Sequence, residues 1–299
     1  MRSRARGAAS LAVGATVALA LGACAGGDDD EVPPAASPPA STDTAEPGRA
    51  AVARYVALGD SFAALGPTDA PTSGPGPCLR STRNYPALLA RDVGPGGFSD
   101  VTCGGARTID MTVPQIPQTP PQFDALTAET DLVTLSIGGN DIGFGDIVAC
   151  VVRTPRVETA APCADRLGAV TSRALEGLPA RLDGVYAGIR ERSPFARIVT
   201  TAYLPLVPDE GGCAFVERMS PGDVGWTRSV TADINRVVTE AARRAGADVV
   251  LPEDASDRHA CAPPAERYTD FTGVETGSHP MHPTAAGHRA MAEAVAGVL

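Results

Sequence analysis

The chain has 299 residues, of which 43% are hydrophobic and 20% are charged. This length and composition are those of a globular protein with a real hydrophobic core, in one large domain or two small ones. The formal net charge is -10 and there is no basic run, which argues against nucleic acids and anionic membrane surfaces as partners.

The N-terminus has the layout of an export signal. Three arginines, at positions 2, 4 and 6, precede an apolar stretch over residues 8–21 that is too short to span a bilayer. The stretch ends in LGAC, residues 21–24, which resembles the bacterial lipobox. This resemblance implies a lipoprotein signal peptide over residues 1–23, with Cys24 lipidated as the mature N-terminus. The alternative is an ordinary signal peptide that is cleaved nearby.

The segment after the signal has a different composition from the rest of the chain. Residues 24–50 are dominated by Gly, Asp, Pro, Ala and Ser and have almost no large apolar side chain. Such a composition cannot offset the entropy lost on ordering, so the segment is predicted to be a disordered tether. Strands alternating with helices follow, and they predict a single α/β domain over residues 51–299.

Cysteine usage supports export. Apart from Cys24, the chain has an even number of cysteines, as expected for disulfides in an exported protein: Cys78, Cys103, Cys150, Cys163, Cys213 and Cys261. Six cysteines allow fifteen pairings; sequential pairing closes the shortest loops and is the working hypothesis. A metal site is disfavoured, because no two cysteines are spaced as in C-x-x-C and only His259, near Cys261, lies at ligand spacing.

The first predicted strand, residues 55–58, is a short apolar run that stops at Gly59-Asp60-Ser61. Ser61 would then lie at the carboxyl edge of a parallel sheet, where ligands bind in open α/β folds. A hydroxyl at this edge is well placed for nucleophilic chemistry. The alternative is that Ser61 only caps the next helix.

Two more predicted strands end in glycine. Residues 98–102 lead into Gly104-Gly105, where the backbone can approach a ligand closely. Residues 131–137 form the clearest strand and lead through Gly138-Gly139 to Asn140, which alone could be a turn residue. Because strand ends share one edge, three hydrogen-bond donors for an oxyanion are predicted to gather there: the backbone N–H groups of Ser61 and Gly105 and the side-chain amide of Asn140.

The remaining elements continue the alternation. Apolar spacing and capping residues predict helices over residues 87–91, 164–191, 224–245 and 284–299. Pro179 implies that the second of these is kinked or divided in two. Further strands are predicted over residues 197–201 and 248–251, and Pro-rich irregular connectors over residues 66–77 and 114–122.

A serine nucleophile needs a base within hydrogen-bond reach, because its hydroxyl is almost wholly protonated at neutral pH. Of the four histidines, His282 is the best candidate, since it follows the last strand region and Pro283 fixes its backbone. His288 is interpreted as an exposed helix residue and His259 as a loop residue. Metal binding by His279 and His282 is the rival hypothesis, disfavoured because no acidic ligand and no H-E-x-x-H pattern lies close by.

These blocks resemble those of the SGNH hydrolases, also called the GDSL lipase/esterase family. The matching residues are Gly59-Asp60-Ser61, Gly105, Gly139-Asn140-Asp141 and His282-Pro283. The resemblance implies a three-layer α/β sandwich with a parallel, flavodoxin-like central sheet. It also implies Ser61 as nucleophile, His282 as general base and then acid, and Ser61, Gly105 and Asn140 as the oxyanion hole. The cysteines resemble the three-disulfide arrangement of the actinobacterial secreted branch, which also supports sequential pairing.

Two departures from the family pattern matter. Phe62 stands where the family usually has leucine, a change of packing. His279 stands three residues before His282, where the family usually has an aspartate that orients the imidazole. Some members of the secreted branch use a main-chain carbonyl instead. The carbonyl of His279 is therefore predicted to hold the Nδ1–H of His282 in a Ser-His dyad, with Asp270 as the fallback acid. The G-x-S-x-G elbow of α/β-hydrolases is absent from the sequence, which disfavours that other fold.

The first functional hypothesis is an exported serine esterase or lipase that hydrolyses carboxylic esters of small molecules or lipids. It would act as a secreted protein or as a lipoprotein on the outer face of the cell membrane. The alternative is a surface-tethered lipid- or glycan-binding protein without turnover. The presence of Ser61, Asn140 and His282 favours the enzyme. No cofactor, metal or nucleic acid is expected, membrane attachment is expected only through Cys24, and a monomer is favoured.

Overall fold

A central parallel sheet organises the structure, a computed structural model that describes residues 52–299. Its strands are β1 Arg54–Gly59, β2 Gly97–Asp100, β3 Leu132–Ser136, β4 Arg197–Thr201 and β5 Asp248–Val250. They pair in the order β2-β1-β3-β4-β5, and every pair is parallel. This is the flavodoxin-like order, so the predicted fold class is confirmed.

Helices cover both faces of this sheet. The α-helices of the described region are α1 Ser61–Ala64, α2 Tyr85–Val93, α3 Phe144–Arg153, α4 Pro162–Arg192, α5 Pro221–Arg244 and α6 Ala285–Gly297. Helix α2 packs against α6, and α4 packs against α5. Because crossovers between parallel strands are right-handed, these two pairs lie on opposite faces, which gives the three layers.

The predicted signal peptide, Cys24 and the tether lie outside the described residues. Residues 52–299 belong to one compact unit. Within them, no helix combines the length and the apolar character that crossing a membrane requires.

The two central strands are β1 and β3. After Arg54 every residue of β1 is buried, and so is every residue of β3. Such near-continuous apolar runs are typical of parallel strands covered on both faces. The two strands end side by side, with Gly59 opposite Ser136. The loops that carry Ser61 and Asn140 therefore leave the sheet as neighbours.

Capping side chains set the ends of two helices. Asn84 accepts the N–H of Ala87 at the start of α2, and Gly94 ends that helix with a left-handed φ of 56°. Thr284 accepts the N–H of Gly287 at the start of α6, which confirms the predicted cap.

Helix α4 is one helix of 31 residues with Pro179 inside it. The alternative of two helices is thus wrong, since packing on α5 maintains the helix despite the donor lost at proline.

Short elements interrupt the irregular loops. Two antiparallel ribbons pair Thr72–Ser73 with Arg80–Ser81 and Thr269–Asp270 with His282–Pro283. Short 3-10 helices span Gly76–Cys78, Thr108–Met111, Gln122–Ala125 and Val216–Arg218. The expectation that residues 66–77 contain no regular structure is therefore wrong.

Three disulfides follow the sequential pairing, which is confirmed: Cys78–Cys103, Cys150–Cys163 and Cys213–Cys261. The first ties the loop after β1 to the loop after β2, and the third ties the loop after β4 to the loop after β5. Both act on the loops that leave the carboxyl edge of the sheet.

His288 is not the exposed residue that its place on a terminal helix suggested. Its side chain is buried between α6 and α2, and its Nδ1 accepts the backbone N–H of Tyr85 at 3.1 Å. Burial lowers its pKa to about 3, so it is a neutral imidazole that joins the two helices.

Candidate active site

Ser61 lies just beyond β1, at the carboxyl edge of the sheet. It is buried and is the first residue of α1. The cap of that helix is Asp60, whose carboxylate accepts the N–H of Phe62 at 2.9 Å. The interpretation of Ser61 as the cap is therefore wrong. Because Ser61 begins the helix, its backbone N–H has no acceptor within it.

His282 reaches Ser61 from the other end of the chain. Its Nε2 lies 2.8 Å from Oγ of Ser61, and its Nδ1 lies 2.7 Å from the carbonyl oxygen of Pro280. A carbonyl can only accept, so Nδ1 carries the proton and Nε2 accepts from the serine hydroxyl. This is the tautomer that a general base needs.

The prediction that His279 supplies the carbonyl is wrong by one residue. The carbonyl of His279 instead accepts the backbone N–H of His282 at 3.2 Å. Met281, which lies between His279 and His282 in sequence, has a left-handed φ of 63°, a conformation that costs a residue with a side chain about 1–3 kcal/mol. The N–H of Met281 donates to the carbonyl of Asp270 at 2.7 Å. This turn brings the carbonyl of Pro280, rather than that of His279, to the imidazole.

Asp270 does not take the place of an orienting acid. Its backbone pairs with His282 in the ribbon, but its buried carboxylate accepts from the N–H of Thr272 at 2.9 Å and the hydroxyl of Thr276 at 2.8 Å. It also lies 3.5 Å from the guanidinium of Arg267. These bonds hold the loop over residues 272–276 and leave the imidazole to the carbonyl of Pro280.

The surroundings of His282 favour its neutral form. Burial lowers its pKa, the carbonyl of Pro280 opposes this effect, and the charge of His279 adds to it. The ring lies against both Phe62 and Phe144, at centroid distances of 5.4 and 6.4 Å. Both ring nitrogens are engaged, and residues 52–299 hold no group of three or more candidate metal ligands.

Gly105 and Asn140 belong to two loops that are bonded to each other. The side-chain amide of Asn140 donates to the carbonyl of Ala106 at 2.9 Å, while Asp141 accepts from the backbone N–H of Thr108 at 3.0 Å. Gly105 has a left-handed φ of 79°, which favours glycine at this position. The loops after β2 and β3 therefore meet where the sequence predicts the oxyanion donors.

Sequence reasoning missed Tyr203, two residues beyond β4. Its hydroxyl donates to the carboxylate of Asp60 at 2.5 Å and accepts the backbone N–H of Gly139 at 2.8 Å. Burial raises the pKa of Asp60 to about 7, although the hydrogen bonds from Tyr203 and Phe62 oppose the shift. A polar side chain after a fourth strand was the available signal, but nothing in the sequence pointed to its partners.

An apolar cavity that is open to solvent lies beside Ser61. Ser61 and Asn140 line it, together with Tyr203. Its apolar walls include Phe62, Phe144, Leu204, Leu206 and two residues of α5, Val230 and Ile234. Concave apolar sites with a few polar groups at one place are typical of small-molecule binding.

The family comparison matches most of the chain. Residues 57–290 match the GDSL-like Lipase/Acylhydrolase family. Lipase 2 of Streptomyces coelicolor is 38% identical over 256 residues, which cover 82% of this chain and 85% of that protein.

Two solved structures are also similar. Phospholipase A1 from Streptomyces albidoflavus aligns with a TM-score of 0.68 and 28% identity, over 83% of this chain and 99% of that one. An extracellular lipase from Streptomyces rimosus aligns with a TM-score of 0.68 and 29% identity, over 82% of this chain and 99% of that one. The chain therefore belongs to the GDSL-like lipase/acylhydrolase family and is a carboxylic ester hydrolase.

Proposed function

We propose that this ester hydrolase works through a Ser-His dyad, with Ser61 as nucleophile and His282 as base. The observation that carries the proposal is the pair of contacts on one imidazole, Nε2 at 2.8 Å from Ser61 Oγ and Nδ1 at 2.7 Å from Pro280 O. A nucleophile, a base and a group that orients the base are the parts that acyl transfer requires. Here a main-chain carbonyl replaces the carboxylate.

The reaction would proceed in two halves. Oγ of Ser61 attacks the ester carbonyl while its proton passes to Nε2 of His282. The tetrahedral intermediate then expels the alcohol, which takes that proton, and leaves an acyl-enzyme. Water gives a proton to Nε2 as it attacks the acyl carbon. When Ser61 leaves it recovers the proton, and the carboxylic acid is released.

Three donors would stabilise the oxyanion: the backbone N–H groups of Ser61 and Gly105 and the side-chain amide of Asn140. One N–H of that amide binds Ala106, which would fix its direction and leave the second for substrate. Loss of one such donor typically costs about 2.7–4 kcal/mol in the barrier. The left-handed turn at Gly105 supports its role, because it lets the backbone face the site.

The acyl chain of the substrate would occupy the apolar cavity beside Ser61. Its walls are hydrocarbon apart from the catalytic end and Thr231. We therefore propose acyl esters of lipids as the substrate class. The similar proteins named lipase and phospholipase A1 agree with such a class.

We also propose that the protein is exported and anchored through a lipid on Cys24. Three disulfides and the likeness to an extracellular lipase support export, and the LGAC sequence supports the anchor. Cells fed an alkyne fatty acid should incorporate it into the full chain but not into Cys24→Ala. Equal labelling of the two would contradict lipidation at Cys24.

Covalent trapping tests the proposed nucleophile. A fluorophosphonate ester should modify the purified protein once, and peptide mass spectrometry should place the adduct on Ser61. His282→Ala should label much more slowly, because the hydroxyl loses its base. An adduct on another residue, or an undiminished rate in His282→Ala, would overturn the dyad.

A further inference from the structure

Tyr203 joins the two loops that carry the proposed catalytic groups. Its hydroxyl donates to Asp60 Oδ2 at 2.5 Å and accepts the backbone N–H of Gly139 at 2.8 Å. Asp60 precedes Ser61 and Gly139 precedes Asn140. One buried phenol therefore links the residue before the nucleophile to the residue before the oxyanion amide.

The position of Tyr203 is itself fixed from a third element. Asn235 of α5 accepts the backbone N–H of Tyr203 at 2.8 Å and donates to its carbonyl at 2.9 Å. The ring of Tyr203 packs edge-on against Phe62, with centroids 5.1 Å apart. Side chain and backbone are thus held independently, and the hydroxyl has little freedom to follow a shift of either loop.

Gly139 lies so close to the ring of Tyr203 that any residue with a Cβ would require the ring or the backbone to move. A Cβ at this position would lie 3.2 Å from the Tyr203 hydroxyl and 3.3 Å from two ring carbons. The turn before Asn140 therefore lies directly on the phenol. Any displacement of the ring would move this turn as well.

The donor and acceptor roles of the Tyr203 hydroxyl are fixed. The phenol has a single proton, which goes to Asp60, so its oxygen is left to accept from Gly139. Burial raises the pKa of Tyr203 well above its usual value, which keeps that proton in place. Both ends of the link are consequently hydrogen-bonded without water.

We propose that Tyr203 is a positioning residue that sets the distance between the Ser61 nucleophile and the Asn140 oxyanion donor. This inference rests on the proposed function. Its physical basis is that oxyanion donors act only when they already point at the developing charge. A link between the two loops provides this preorganisation without contact with the reacting atoms.

The test compares Tyr203→Phe with wild type on p-nitrophenyl acetate. Removal of the hydroxyl leaves Gly139 N–H and the Asp60 carboxyl without their partner, so the two loops can shift. Misplacement of groups by about 1 Å can cost about 100-fold in rate, so we expect kcat to fall by about 10- to 100-fold. KM should change by less than about twofold, because the aromatic ring at position 203 and the apolar walls of the cavity are retained.

The matched control is Tyr186→Phe. Tyr186 is also buried, and its hydroxyl bonds to Thr200 of β4 at 2.8 Å; neither residue lines the cavity beside Ser61. Both variants delete one buried phenolic hydroxyl, and both should lower the melting temperature. Only Tyr203→Phe should lower kcat; an equal loss in the two would overturn the positioning role.

A tetrahedral inhibitor supplies a readout that a merely structural role would not move. An alkyl boronic acid that adds to Ser61 mimics the oxyanion intermediate, so Tyr203→Phe should raise its Ki by the same factor by which kcat/KM falls. An unchanged Ki and kcat in a folded variant would overturn the inference. If Tyr203→Phe cannot be obtained folded, Asn235→Ala loosens the Tyr203 backbone and should show the same pattern. Activity that survives Ser61→Ala would instead refute the proposed function.

Discussion

Acyl-chain selectivity should depend on Thr231, the polar residue that α5 presents to the apolar cavity. Thr231 follows Val230 on this helix, and both line the cavity with Ile234. Its hydroxyl already donates to the carbonyl of Thr227 at 3.1 Å, so replacing it leaves no distant partner unsatisfied. Thr231→Phe should fill the space that the acyl chain is proposed to occupy.

The magnitude follows from the apolar surface that the chain buries. Each buried methylene contributes about 0.8 kcal/mol, or roughly a fourfold gain in kcat/KM. Extending acetate to hexanoate adds four methylenes, hence up to about 3 kcal/mol, or roughly 200-fold, if all enter the cavity. Thr231→Phe should abolish most of this gain and leave acetate hydrolysis within about threefold of wild type.

The assay is kcat/KM for p-nitrophenyl esters from acetate to octanoate. The control is Ser229→Phe on the exposed side of the same helix, where the serine hydroxyl makes an equivalent bond to the carbonyl of Gly225. Ser229→Phe should keep the wild-type dependence on chain length. If Thr231→Phe also keeps it, the acyl chain lies elsewhere.

Three further predictions concern titration and stability. Because burial lowers the pKa of His282, the rising limb of kcat/KM against pH should have its midpoint below the ordinary value of about 6.5; a midpoint above it would contradict the site described. Asp270→Asn should keep kcat within about threefold, because the carboxylate does not orient the base. Its free energy of unfolding in urea should fall by about 1–3 kcal/mol, because the hydrogen bonds to Thr272 and Thr276 are weakened. A large loss of kcat in folded protein would restore Asp270 as the acid. Between pH 6.5 and about 3 the unfolded chain binds a proton at His288 that the folded protein does not, so this residue alone should lower the free energy of unfolding by up to about 1.4 kcal/mol per pH unit on acidification. His288→Gln should make that pH dependence shallower, and an unchanged slope would show that His288 is not its source.

The fold was predictable because its signals are local. The runs ending at Gly59 and Ser136 are buried throughout after Arg54 and mostly apolar, as is typical of parallel strands covered on both faces. Asn84 and Thr284 are helix caps with their own hydrogen bonds. Because the carboxyl ends of parallel strands lie at one edge of the sheet, the sequence also predicted that Ser61 and Asn140 lie near each other.

What could not be predicted depends on backbone turns and on contacts between distant elements. The left-handed turn at Met281 exchanges the carbonyl of His279 for that of Pro280, and methionine carries no signal for it. His288 is buried because α6 packs on α2, a contact that helical periodicity does not reveal. Tyr203 meets Asp60 across 143 positions of sequence, so only the folded chain connects them.

The central claim is that Ser61 and His282 act as one unit. Its most direct test is the kcat for p-nitrophenyl butyrate of Ser61→Ala, His282→Ala and the double variant, each checked for folding by circular dichroism. Each single change should lower kcat by about 10⁴- to 10⁶-fold, and the double change should add almost nothing, as when the members of one catalytic unit are removed together. Substantial turnover by Ser61→Ala, or a double-variant loss equal to the product of the two single losses, would contradict the account.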